Sequence, residues 1–331
     1  MFFSLIIPVY NRPEEVRELL ESLSRSDYSE RFEVVIVEDG SSAPCLVVLE
    51  RFPDLEISYY MKPNTGPGDS RNYGMNKAKG DYYLIFDSDC IVPPHYLRVV
   101  SQSLQDSYAD CFGGPDKAMK SFSNIQKAIN FGMTSFLTTG GIRGGSERLD
   151  RFQPRSFNMG ISKSAFEASG GFADIHPGED PDLSIRLWKL GFKTRLIPEA
   201  YVYHKRRISW KRFYIQVNKF GKARPILDTW HPRFAKATYF LPSAFLLGFI
   251  VAILSVFFGF SFFIWLYAFY FVVAFVLSAI ANRSIQVGAL SVMAVAIQFY
   301  GYGTGFLQSY FQIQMLGKKP QEAFPELFFK V

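Results

Sequence analysis

With 331 residues, 48% of them hydrophobic and 20% charged, the chain can bury one large core or two smaller ones. Its three cysteines, Cys45, Cys90 and Cys111, fall at no metal-ligand spacing, so neither a disulfide framework nor a zinc site is indicated and a reducing compartment fits. The net charge of +6 argues little for nucleic acid: ten Lys or Arg and a single acid, Asp228, lie between His204 and Lys236, with no recognisable nucleic-acid module beside them.

No basic segment precedes the first apolar run, which stops at Pro8, so residues 3–9 read as a buried strand and not as a signal peptide. From there apolar runs alternate with amphipathic segments: strand 3–9 and helix 14–24, strand 32–37 and helix 43–52, strand 82–86 and helix 94–103. That alternation predicts an α/β domain with a largely parallel sheet covered on both faces. Ligands of such sheets collect at the carboxyl ends of the strands. The polar clusters Tyr10-Asn11-Arg12, Glu38-Asp39-Gly40-Ser41 and Asp87-Ser88-Asp89 stand at those ends. Over 121–155 the pattern weakens, and Gly140-Gly141 and Gly144-Gly145 bracket an expected mobile loop on the acceptor side. Order returns over 156–172 and in a helix at 181–190 that Gly191 stops.

The composition then shifts. The basic stretch of 206–238, with Trp210, Phe213, Tyr214 and Trp230 among its cations, predicts an amphipathic helix at an anionic lipid surface. Residues 239–281 carry no charge, and at about 20 residues per span this is room for two transmembrane helices. A third, 287–306, contains Gln298, Gly301, Gly303 and Gly305, so a re-entrant segment stays open and the count stands at two or three. Basic residues beside the spans place the preceding domain in the cytosol, on a bacterial-type inner membrane, by the positive-inside rule. The divisions expected are 1–205 catalytic, 206–238 interfacial, 239–311 an all-α membrane region, and 312–331 a tail.

Asp87 and Asp89 follow an apolar strand and share one side of it by the period of two. Paired carboxylates so placed suit Mg2+ or Mn2+, which can bridge a diphosphate, although an isolated Asp-x-Asp is more often a solvated turn. Its company is what matters. Pro8-Val-Tyr-Asn11, Glu38-Asp-Gly-Ser41, Asn64-Thr-Gly66 with Ser70-Arg-Asn-Tyr-Gly74, Asp87-Ser-Asp89 and Gly178-Glu-Asp-Pro-Asp-Leu-Ser-Ile-Arg186 occur in the order and spacing of the family 2 glycosyltransferases. The likeness runs to about His204 and implies a GT-A fold, Rossmann-like and mixed but largely parallel.

The resemblance implies roles position by position. Pro8 and Tyr10 flank the nucleotide base and Asp39 accepts from its ring N–H, while Glu38 stands where an aspartate is more usual. Asn64 and its glycines bring backbone close to the nucleotide, and Arg71 matches a basic residue near base and diphosphate. Asp87 resembles the ribose-side acid, Asp89 the metal ligand and His204 the histidine completing the metal site. Asp180 matches the general base, with Glu179 crowding it by like charge; the two acids can also cap their helix. Asn158 falls in a segment lining the sugar and acceptor side, and Arg207 can neutralise the leaving diphosphate or belong to the membrane-facing belt.

Together these imply a membrane-anchored inverting transferase. A nucleoside-diphosphate sugar, UDP-linked by preference, donates to a lipid-linked or glycan acceptor, with no nucleic acid among its partners. A processive polysaccharide synthase is the enzyme alternative, but such relatives carry Gln-x-x-Arg-Trp where Gln216-Val-Asn-Lys-Phe220 stands. A catalytically silent nucleotide-binding scaffold is the other.

Overall fold

The computed structural model describes residues 1–117, 122–139, 152–204 and 209–329, for His204 and Thr139 the backbone only. Internal contacts divide the chain into two units, Met1–Met119 with Glu147–Lys205 and Phe328–Val331, and Lys120–Ser146 with Arg206–Leu327.

The first unit is built on β1 (Phe3–Val9), β2 (Phe32–Asp39), β3 (Glu56–Lys62), β4 (Tyr82–Phe86), β5 (Cys90–Ile91), β6 (Cys111–Gly113), β7 (Asp116–Lys117), β8 (Asn158–Ser162), β9 (Thr194–Leu196) and β10 (Val202–His204). Its helices are α1 (Pro13–Leu23), α2 (Leu46–Leu49), α3 (Pro67–Lys77), α4 (Tyr96–Asp106), α7 (Lys163–Ser169) and α8 (Glu179–Lys189); the intervening α5 (Asn124–Thr134) and α6 (Phe136–Thr139) belong to the second unit. Seven strands form one sheet in the order β3-β2-β1-β4-β8-β6-β9. β1 to β4 run parallel and β8 opposes both its neighbours, so the sheet is mixed and largely parallel as expected.

The period of two explains both cores. Phe3, Leu5, Ile7 and Val9 point to the face covered by Val16, Leu19 and Leu20 of α1 and Leu97, Val100 and Leu104 of α4. Ile6, Val35, Val37, Tyr83 and Ile85 point to the other, against Met75, Ala165, Phe166, Leu183 and Leu187 of α3, α7 and α8. Helix α3 lies close to the sheet because residue 74 is glycine; a Cβ there would meet Ile6 Cγ2 at 2.7 Å.

The second unit comprises α5, α6, α9 (Trp210–Trp230), α10 (Leu241–Phe257), α11 (Phe262–Asn282) and α12 (Ile285–Ser309), followed by short turns. Among the described residues, three helical stretches are long and apolar enough to cross a membrane, Ala237–Phe257, Phe262–Asn282 and Ile285–Met315. The third differs from the others: 44% of its apolar window is buried inside the protein, against 11% for each of the first two. The glycines that weakened its reading as a span are the reason, since they face neighbouring helices. A Cβ at Gly301 would meet Val217 at 2.5 Å, and one at Gly305 the Asn218 carbonyl at 2.3 Å.

Within the stretch where the pattern weakens, α5 forms with a Ser123–Gln126 capping box and packs Ile129 and Met133 with Phe213, Val217 and Ala294, while the loop expected between Gly140 and Gly145 lies outside the described residues. Of the α9 aromatics expected at headgroups, Phe213 is instead fully buried, as are Val217 and Ile226, whereas Tyr214 is 36% exposed. Gly221 sets the approach of α9 to α12, because a Cβ there would stand 2.2 Å from the Tyr302 carbonyl oxygen. Gly221→Val is expected to push α9 off α12 and cost about 1–3 kcal/mol, read as a lower Tm by circular dichroism.

Candidate active site

The parallel strands β1, β2 and β4 end side by side, so the three polar clusters that follow them share one edge of the sheet. Asn11 locks the first two together. Its Oδ1 accepts from Ser42 N at 2.8 Å, Ala43 N at 3.0 Å and Ser42 Oγ at 3.0 Å, and its own N–H donates to Ser41 Oγ at 2.7 Å. This needs a left-handed backbone, φ 54°, which asparagine tolerates better than most residues.

At the end of β2 both acids turn inward. Glu38 is fully buried and accepts from Cys45 N at 2.9 Å, from Tyr59 Oη at 3.3 Å and from Ser41 Oγ. Asp39 accepts from Thr65 N and Gly66 N at 3.0 Å each and is paired with Lys62 Nζ at 2.7 Å. The Asn64-Thr65-Gly66 turn is therefore tied to β2 by the carboxylate expected to meet the base. Asn64 itself is exposed, Tyr10 is 53% exposed and Pro8 is partly buried on β1. Gly66, at φ +94°, leaves room for the ring of Phe329, whose atoms would lie 2.2 to 2.5 Å from a Cβ there.

Arg71 is the hub. It is 4% exposed, donates from Nη2 to Asp87 Oδ1 at 2.8 Å and from Nη1 to Glu179 Oε1 at 3.4 Å, and lies over the Phe172 ring at 5.4 Å. The basic residue expected near the diphosphate thus joins the Asp-x-Asp turn to the Glu-Asp helix. Asp89, two residues on, pairs with Arg12 Nη1 at 2.5 Å, and the Arg12 side chain is 46% exposed. In a second sheet of three strands, β5-β10-β7, β10 runs antiparallel to β5 with His204 opposite Cys90, which brings the His204 backbone beside the residue following Asp89. Arg207 lies outside the described residues.

Glu179 and Asp180 open α8 after Gly178, whose φ of +136° a side chain would resist. Glu179 Oε1 is 2.7 Å from His176 Nδ1 and Oε2 accepts from Gly178 N at 2.9 Å. Burial pushes Glu179 up, but the charge and hydrogen bond of His176 and the charge of Arg71 outweigh it and hold this carboxyl below the usual range. Asp180 goes the other way. Burial and the neighbouring Glu179 raise it to about 6, against the pull of Arg71 and of Ser156 N, which donates to Oδ2 at 3.2 Å. Asp180 Oδ1 is buried with no hydrogen-bond partner among the described residues.

Asn158 takes a different place from the one expected. It is fully buried on β8; its Oδ1 accepts from Tyr96 Oη at 2.6 Å, and Nδ2 donates to Ala200 O at 2.8 Å and Pro115 O at 3.4 Å. These bonds fasten strand and loop behind the site, with no side-chain atom left for a sugar. Asn158→Leu is expected to strand those partners and cost about 1–3 kcal/mol, measured as a lower urea midpoint. Arg12, Lys62 and His176 were not anticipated as site residues. Arg12 adjoins a recognised motif, but no spacing in the chain announces Lys62 or His176.

The mixed, largely parallel seven-stranded sheet with helices on both faces is a fold of the GT-A type. The family model of glycosyl transferase family 2 matches residues 4–170, just over half of the chain, and the protein belongs to that family. Among curated relatives, poly(ribitol-phosphate) beta-N-acetylglucosaminyltransferase TarS of Staphylococcus aureus is 32% identical over 114 residues, 33% of this chain and 20% of TarS. The probable glycosyltransferase YdaM of Bacillus subtilis is 25% identical over 235 residues, 66% of this chain and 54% of YdaM. The chain thus spans a fifth of one relative and about half of the other. Mannosyltransferase PcManGT from Pyrobaculum calidifontis, solved in complex with GDP-Man and Mn2+, superposes with a TM-score of 0.57 at 15% identity, covering 96% of this chain and 88% of that one. TarS 1–349 in complex with UDP-GlcNAc gives 0.50 at 18% identity, covering 96% and 93%. At these identities the two superpositions speak for the fold.

Proposed function

We propose that this protein is a membrane-anchored, inverting glycosyltransferase that moves a sugar from a nucleoside diphosphate, UDP by preference, to a lipid-linked or glycan acceptor for the cell surface. The observation that carries the reading is Asp180: a carboxylate raised to about 6, with Oδ1 unpartnered among the described residues, on the same buried chain of Glu179 and Arg71 that reaches Asp87. A base near neutrality with a lone pair left unused suits an incoming hydroxyl. In the reaction so read, the acceptor proton passes to Asp180 Oδ1 as the acceptor oxygen bonds to the anomeric carbon. The bond from that carbon to the diphosphate breaks, and the diphosphate leaves with both electrons.

The carboxylates of Asp87 and Asp89 fit a hard divalent cation, Mg2+ or Mn2+, and the backbone register brings His204 to the same turn. Such an ion, when bound, neutralises charge developing on the leaving diphosphate. Arg12, a half-exposed cation on Asp89, supplies positive charge at the same carboxylate from the chain itself. Asp39, fixing the 64–66 turn, holds backbone where the nucleotide is expected. The three apolar stretches and the basic α9 support an anchor in the inner membrane with the catalytic unit in the cytosol.

The test is a screen of nucleotide sugars with Mg2+ or Mn2+ and with polyprenyl-phosphate and glycan acceptors, scoring nucleoside diphosphate released and product formed. Transfer that requires Asp180 is the expected result. A long polymer from one acceptor would replace single transfer by processive synthesis, and equal transfer by Asp180→Asn would overturn the assigned base.

A further inference from the structure

His176 is a titratable group in contact with Glu179 that the reaction above leaves without a task. It sits in the turn before α8, its side chain 44% exposed, with Nδ1 2.7 Å from Glu179 Oε1. The same oxygen is 3.4 Å from Arg71 Nη1, so Glu179 lies between two cationic groups and the imidazole is the nearer. Glu179 is joined by one peptide bond to Asp180, whose Oδ1 has no hydrogen-bond partner among the described residues. The charged groups that bear on the imidazole are Glu179 and Asp180 of α8 and Arg71 of α3. The Phe329 ring, 6.2 Å away, covers part of it, with Phe329 N donating to Asp174 Oδ1 at 3.1 Å.

We propose that His176 is a positioning residue that acts through Glu179 on Asp180: as imidazolium it neutralises Glu179 and keeps the base ionised toward lower pH. The reading rests on Asp180 as the base. When His176 carries its proton, the charge beside Asp180 is screened at its source. When the proton leaves, Nδ1–H can still donate to Glu179, but the full carboxylate charge then bears on Asp180 and favours its protonated form. Burial disfavours the imidazolium, yet Glu179 and Asp180 outweigh burial and Arg71 and raise His176 above its ordinary 6.5. The cationic form is therefore present in the range near 6 where Asp180 titrates.

Coupling of this kind is reciprocal: what the His176 charge does to Asp180, the Asp180 charge does to His176 by the same amount. The test uses that symmetry and needs no substrate. The chain has four histidines, His95, His176, His204 and His231, so 15N-imidazole titration of the full detergent-solubilised protein yields few signals, and His176→Gln assigns the one of interest. Asp180→Asn is expected to lower the His176 pKa by a few tenths of a unit, and Glu179→Gln by about one unit or more. Far-UV circular dichroism checks the fold of each variant, and Glu179→Gln keeps the relay testable should Asp180→Asn be unstable. A His176 titration unmoved by these substitutions overturns the proposal.

The kinetic arm is the pH profile of nucleoside diphosphate release by His176→Gln with whichever donor the screen selects. Its acidic limb is expected to move up by the same few tenths of a unit, without a matching loss on the plateau. A uniform loss at unchanged limb would make His176 merely structural. If the NMR coupling holds while no nucleotide sugar turns over in the wild type, the transferase reading fails and the charge relay stands.

Discussion

Asp180→Asn is expected to lower the transfer rate by roughly 10²–10⁴-fold while leaving donor binding nearly intact, because the amide keeps the shape and loses the proton acceptor. The pH dependence follows from the raised value. Wild-type activity should fall as pH drops through about 6, where Asp180 takes up a proton. Stability should move in the opposite sense. A carboxyl raised in the folded state binds its proton more tightly there than in the unfolded chain, so holding it ionised disfavours the fold above about 6 and costs nothing well below the unfolded value. The asparagine variant should therefore melt higher than wild type at about pH 8, with the gap closing as the pH falls below 6. A variant that is both less active and less stable at every pH would instead mean that Asp180 holds the structure together.

The second large effect is expected at Arg71. Replacing it with Met strips Asp87 of that cation, leaves buried Glu179 to His176 alone among the described residues, and removes the contact with Phe172. Breaking a buried pair from one side costs about 3–5 kcal/mol, mostly as uncompensated charge on what remains. Glu179 sits below its unfolded value, so this part of the stabilisation is present at neutral pH and is lost as pH falls through the depressed value. Urea unfolding near neutrality should show the loss, and Arg71→Met with Glu179→Gln should recover part of it, since the second change removes a stranded charge. An unchanged midpoint in Arg71→Met would mean that the cation was never needed there.

Much of the catalytic unit was legible because its signals are local. The strands at 3–9 and 82–86 carry their own apolar runs, and the polar clusters fall where parallel strands must end. The resemblance put Asp87 and Asp180 in one site, and Arg71 joins their motifs through Asp87 and Glu179. What stayed hidden depends on partners far along the chain. Asn158 looked like a lining residue because nothing nearby shows that Tyr96, Pro115 and Ala200 surround its amide. Arg71 looked like an open phosphate fork because its two acids arrive from residues 87 and 179. The glycines of α12 argued against a membrane span when read alone, whereas Gly301 and Gly305 are contact points for α9. Helix α8 starts at Glu179, two residues before the expected boundary, since the acids that look like a cap already occupy its first turn.

Helix α5 has a practical consequence for anyone preparing a soluble fragment. It is encoded in the middle of the catalytic stretch, yet Ala128, Ile129 and Met133 are covered within the second unit, where Gly132 lies against Ala294 of α12. Trimming the gene after residue 205 would leave that greasy ridge bare and invite precipitation, so a workable excision has to remove the internal helical insert as well, and it gives up the Phe329 ring that packs at Gly66 and beside His176.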